Sequence, residues 1–77
     1  MSRAFVLLNS DLSDLDSARD LLSALKKVDG VVGVYLVYGN YDAIVELETE
    51  PARLNEIILS RIRPLEHVTS SLTLIAA

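Results

Sequence analysis

The sequence predicts an α+β fold with element order βαββαβ: a four-stranded antiparallel sheet with two helices on one face. Three observations predict it. Short runs rich in β-branched and aromatic residues alternate with stretches of helical apolar spacing. A strand–helix–strand unit occurs twice along the chain. The link between the middle strands is short and carries Gly39-Asn40, as an antiparallel hairpin requires. Right-handed crossovers then bring both helices to the same side of the sheet.

The first strand is Arg3 to Asn9, a short apolar run stopped by the polar Asn9-Ser10-Asp11. From Leu12 to Val28, Leu15, Ala18, Leu22 and Leu25 recur at helical intervals, with Leu21 and Val28 widening the stripe. Ser13 can cap this helix, with Asp16 three residues on; Lys26 and Lys27 suit the negative end of its dipole, and Gly30 stops it. Val31 to Tyr38 reads as a strand that is apolar on both faces. Asp42 to Thr49 alternates, setting Ala43, Val45 and Leu47 against Asp42, Ile44, Glu46 and Glu48. Pro51 opens the second helix at the position that tolerates proline; Leu54, Ile57, Ile58 and Ile62 form its stripe, and Pro64 ends it. The last strand runs from His67 to Ile75. Its Leu72 and Leu74 are assigned to the inward set with Ala43, Val45 and Leu47, and Thr69, Ser71 and Thr73 to the outer one. The whole is the ferredoxin-like βαββαβ arrangement.

With 77 residues the chain is one domain, and its core only narrowly offsets an ordering cost of roughly 1.5 kcal/mol per residue. Cysteine is absent, which removes disulfides and thiolate metal sites. Association is the remaining way to stabilise so small a domain, and 51% apolar residues supply the surface for it. Two helices cover one face of the sheet, yet strands one and two are apolar on both, with Phe5 and Leu7 opposite Val6 and Leu8. A homo-oligomer joined through the sheet face is therefore expected. The alternative is a monomer thinly covered by Glu46, Glu48, Thr69 and Thr73.

Seven basic against 11 acidic residues give a net charge of −4, with the cations scattered, which argues against nucleic acid and anionic membranes. Ala4 to Leu8 is too short for a signal or spanning segment, so the expected compartment is the cytoplasm. No nucleophile–base pair, metal-ligand spacing or Gly-rich phosphate loop is readable, so no catalytic residue, metal or cofactor is assigned. The lone His67 reads as a strand-end histidine. Gly39 and Asn40 tolerate positive φ, and the turn sets backbone amides beside the Asp42 carboxylate, a pairing suited to a zwitterion. An ordinary turn with an Asx-type bond from Asp42 is the plainer alternative.

Residues 30–48, Gly-Val-Val-Gly-Val-Tyr-Leu-Val-Tyr-Gly-Asn-Tyr-Asp-Ala-Ile-Val-Glu-Leu-Glu, resemble the core of the RAM domain, the effector domain of Lrp/AsnC transcription regulators. Asp29-Gly30-Val31, Val34-Tyr35, Gly39-Asn40-Tyr41-Asp42 and Glu46-Leu47-Glu48 carry the likeness, and Leu54-Asn55, Ile62-Arg63 and residues 69–74 continue it. The family often has Pro-Gly-Val before its last strand; here the residues are Glu66-His67-Val68. The resemblance covers the chain as a single domain, 1–77, and implies a stand-alone RAM protein without the family's DNA-binding winged helix-turn-helix. It further implies pairing through sheets, assembly into octameric or similar rings, and amino acid effectors held near Gly39, Asn40, Tyr41 and Asp42 and near Thr69, Ser70, Ser71 and Thr73. Tyr35 and Tyr38 belong on this reading to an interface or the core.

The function so implied is that of an effector-binding, oligomerising regulator that contacts no DNA itself and modulates full-length Lrp/AsnC paralogues or another partner. Two alternatives share the topology. A dimeric α+β-barrel, monooxygenase-like enzyme needs a polar cavity between sheet and helices, which the apolar inward set disfavours. An ACT-type amino acid module would hold its ligand at the first strand–helix loop, Asn9 to Ser13.

Overall fold

The structure, a computed structural model, describes residues 2–11 and 14–76. Its elements are β1 (Ser2–Ser10), α1 (Leu15–Lys26), β2 (Val31–Leu36), β3 (Ala43–Thr49), α2 (Pro51–Ile57) and β4 (Val68–Ile75), with α2 passing directly into a π-helical turn, Ile58–Ile62. The strands form one antiparallel sheet in the order β2-β3-β1-β4, the ferredoxin-like arrangement.

The local chemistry follows the sequence with small shifts. Helix α1 starts at Leu15, and Asp14 caps it: its Oδ1 accepts from the Ser17 backbone N–H at 2.8 Å. That bond, aided by the Ser17 hydroxyl, holds the Asp14 carboxyl below its ordinary value. The expected cap, Ser13, lies outside the described residues. Gly30 ends the α1 connection at φ 96°, a left-handed conformation natural to glycine. Pro51 occupies the first turn of α2. The π turn is closed by a bond from the Arg63 N–H to the Ile58 carbonyl at 2.9 Å, five residues back.

The core lies between the sheet and the helices. Ala4, Val6 and Leu8 of β1 and Ala43, Val45 and Leu47 of β3 meet Leu21 and Leu25 of α1 and Leu54, Ile57, Ile58 and Ile62 of the second helical segment. Complete burial of a Leu or Ile contributes about 1.5–3 kcal/mol, so these twelve residues define the stable half of the molecule.

The register corrects one expectation. Directly paired residues point to the same side of a sheet. Val6, buried in the core, pairs with Thr73, and the half-buried Leu7 on the opposite face pairs with Leu72. Ser71 and Thr73 therefore face the helices, while Leu72 and Leu74, 46% and 51% exposed, face away from them. Alternation groups Leu72 with Leu74; pairing with β1 decides their side. Each edge strand carries an irregularity: Val32 is an extra residue in β2 opposite β3, and Thr69 an extra residue in β4 opposite β1.

Candidate functional site

One end of the sheet gathers most of the residues singled out in the sequence. β2 ends at Leu36 and β3 begins at Ala43, so the connection is residues 37–42, longer than a tight hairpin. The Val37 N–H bonds to the Asp42 carbonyl at 3.0 Å, and the Asp42 N–H reaches across to the Leu8 carbonyl at 2.9 Å. Gly39 stands at φ 114° with open space around it, so the turn needs glycine for its backbone and not for room. Asn40 is exposed and Tyr41 half-buried.

The Asp42 side chain does not close an Asx bond within its own turn. Its Oδ2 accepts from the Ser10 N–H at 2.8 Å and from the Ser10 hydroxyl at 3.2 Å, tying the turn to the end of β1. Among the described residues nothing donates to Oδ1. Asp42 lines a cleft of about 240 Å³ whose other walls are Leu36, Val37 and the fully exposed Tyr38. One carboxylate oxygen is thus fixed while the other is available, beside apolar surface.

On the far side of β1, Asn9 donates from Nδ2 to the Ser70 hydroxyl at 3.0 Å. Ser71 accepts from Arg63 Nε at 2.9 Å. Arg63, Val68, Thr69, Ser70 and Ser71 line a second cleft, of about 330 Å³. Thr73 lines neither cleft and sits further along β4 on the helix side. His67, just before β4, holds φ 77°; its backbone carbonyl accepts from the Asp11 N–H at 3.0 Å, and its Nδ1 lies 3.0 Å from Asp11 Oδ1.

Asp42 and the Thr69–Ser71 segment therefore stand at the same end of the sheet, bridged by Asn9 and Ser10 of β1. The reading of the sequence missed Ser10 and Arg63 as parts of this end. Ser10 carried only a weak signal, a polar residue closing an apolar strand, and Arg63 another, a cation just before Pro64 within the Ile62-Arg63 pair of the resemblance. The helix-facing Ser71 and Thr73, with Arg63, also make the inner side of the β4 edge polar, contrary to the wholly apolar inward set expected.

The sheet face away from the helices is apolar across its width. Tyr35, Ile44, Leu7 and Leu72 form one transverse row, and Gly33, Glu46, Phe5 and Leu74 the next. Glu46 is tethered there by Arg3 Nε at 3.2 Å and by the Tyr35 hydroxyl at 3.5 Å, and Arg3 also reaches Glu48 at 3.4 Å. Among the described residues no His, Cys, Asp and Glu cluster could hold a metal ion, and no helix is long and apolar enough to cross a membrane.

Comparison with known proteins agrees with this fold. The Lrp/AsnC ligand binding domain family matches residues 3–77. The structure of FFRP-DM1 superposes with a TM-score of 0.88 at 31% identity, covering 100% of both chains. A hypothetical protein, PHS023 from Pyrococcus horikoshii, gives 0.84 at 31% identity, covering 100% of this chain and 90% of that one. The transcriptional regulator NMB0573 from Neisseria meningitidis, solved as an L-Met complex, shares the fold at a TM-score of 0.84 and 14% identity over 99% of this chain and 49% of its own. A comparison with curated proteins gave no match.

Proposed function

The chain belongs to the Lrp/AsnC ligand-binding domain family, and from that premise we propose that it is an amino-acid-binding, oligomerising regulatory domain without catalytic activity. The observation that carries the reading is Asp42: one carboxylate oxygen is held by Ser10, the other is open, and an apolar-walled cleft lies beside it. An ammonium group seated at Oδ1 gains a charge-assisted hydrogen bond, and the neighbouring Leu36, Val37 and Tyr38 take an apolar side chain. Gly39, Asn40 and Tyr41 set the backbone that presents this carboxylate, and Thr69, Ser70 and Ser71 supply hydroxyls across β1, with Thr73 too far along β4 to join them.

In one chain these remain two clefts. A second copy brought to this end of the sheet closes them into one enclosed site, which makes effector occupancy and assembly interdependent. The apolar rows around Leu7 and Leu72 pair copies face to face, and pairs build larger rings. Acting without DNA contact of its own, the assembly regulates through full-length Lrp/AsnC paralogues or another protein partner in the cytoplasm.

Calorimetric titration tests the reading. L-methionine, the ligand in the NMB0573 complex, is the first probe, followed by the other proteinogenic amino acids. At least one is expected to bind saturably. Asp42→Asn should weaken that binding about ten- to a hundredfold, since a hydrogen bond to a charged group contributes about 1.5–3 kcal/mol. The amide oxygen can still accept from Ser10, so melting should change little. Failure of every amino acid to bind, or unchanged binding to Asp42→Asn, refutes it.

A further inference from the structure

We propose that Arg63 is an anchor for a ligand carboxylate in the cleft it lines with Val68, Thr69, Ser70 and Ser71, with the Ser71 hydroxyl as a further donor. The inference deepens the effector reading and rests on it for the identity of the occupant. It concerns a carboxylate, where the reading of Asp42 concerns an ammonium.

Three features support it. Arg63 follows a π turn closed by its own N–H on the Ile58 carbonyl. A π turn is rare and frequent at functional sites; widening the turn by one residue re-aims the side chain that follows it. Here that side chain is carried across to β4, where Nε donates to Ser71. The bond fixes the guanidinium plane with its Nε edge occupied. Among the described residues Arg63 enters no ion pair, so its two Nη groups are free to fork onto a planar carboxylate.

The Ser71 hydroxyl is polarised in the same sense. Its Oγ already accepts from Arg63. A serine hydroxyl that accepts still has its proton to give. That proton is therefore available to an anion beside the guanidinium, whereas the Ser70 hydroxyl, bonded to Asn9, lies on the other face of the sheet. The cleft of about 330 Å³ has room for a carboxylate and the first carbons behind it. Val68 supplies apolar contact for those carbons.

Nuclear magnetic resonance with the intact chain tests the anchor. The side-chain Nε–H of Arg63 and the backbone amides of residues 69–71 are followed during titration with sodium acetate, and with sodium chloride at matched ionic strength. Acetate should give saturable shifts at these groups and chloride none. Arg63→Gln should weaken acetate binding about tenfold or more, as expected for loss of a charge-assisted bidentate contact. Arg63→Lys, which keeps the charge without the fork, should fall between. Ser71→Ala, which frees the guanidinium, should weaken acetate severalfold with its melting preserved.

Equal shifts with chloride, or acetate affinity unchanged in Arg63→Gln, overturn the proposal. L-methionine and L-methioninamide separate it from the reading it rests on. Methionine shifting both residues 39–42 and Arg63, with the amide shifting only the former, supports both. Shifts at residues 39–42 with Arg63 unmoved by methionine and acetate overturn the anchor alone. Acetate bound at Arg63 with residues 39–42 indifferent to methionine upholds the anchor and removes the ammonium site at Asp42.

Discussion

Substituting His67 tests the backbone that leads into β4. Its φ of 77° lies in the left-handed region, where an L side chain costs about 1–2 kcal/mol. Histidine is among the few residues found there with some frequency. The Asp11 contact at 3.0 Å offsets part of that cost, though Asp11 is 65% exposed and such a pair contributes only about 0–1 kcal/mol. His67→Gly loses the contact and relieves the strain, at a chain-entropy cost of about 0.5–1 kcal/mol. His67→Ala loses the contact and keeps the strain. Glycine should therefore be more stable than alanine by about 1 kcal/mol, or about 4–8 °C in melting temperature for a domain of this size. The backbone bond from Asp11 to the His67 carbonyl survives in both variants, so it cancels from the comparison. Scanning calorimetry on the three proteins measures the order. If alanine melts at or above glycine, the left-handed assignment at this residue is wrong.

Other expectations follow from the same geometry. Leu72 keeps about half its surface for a partner, so Leu72→Ser should remove about 1.5–3 kcal/mol from a symmetric face-to-face pair and weaken it ten- to a hundredfold, while Thr73→Val leaves association unchanged. Sedimentation showing the reverse would mean the β4 register is shifted by one residue. Gly39→Val puts a β-branched residue at φ 114° and should lower the melting temperature and methionine binding together, although space is open around it. Asp14 has a lowered pKa in the folded chain, so its carboxylate adds stability that is full above the ordinary carboxylate range and drains away as pH falls through the lowered value. An acid titration of melting should show that dependence reduced in Asp14→Asn.

Element order and most of the core were legible because they depend on local spacing: Leu21 and Leu25, Leu54 and Ile58, Ala43 and Val45 all lie where periodicity put them. Leu72 and Leu74 show where periodicity ends. Alternation says which residues share a side, but the hydrogen-bond partner on β1, far away in sequence, says which side that is. Ser10 and Arg63 were not legible for a similar reason. Their roles exist only through contacts with Asp42, 32 positions away, and with Ser71, the latter set up by a preceding π turn that no sequence pattern announced. His67 was legible in part. It stands where the resembling family often has glycine, and its φ is positive here without one.

The extra residues Val32 and Thr69 bear on how readily so apolar a chain could add strands at its sheet edges. A sheet with two regular edges is a template to which further strands can add without limit. Here the hydrogen-bonding rhythm is broken on the outermost strand at each side, by Val32 in β2 and by Thr69 in β4. A strand arriving in register meets an interruption within a few residues and cannot zip along the edge. Growth in the plane of the sheet is thereby discouraged, while stacking through the apolar face is left open. That face is finite, and a partner seated on it as proposed would use it up, which favours assemblies that close over those that elongate.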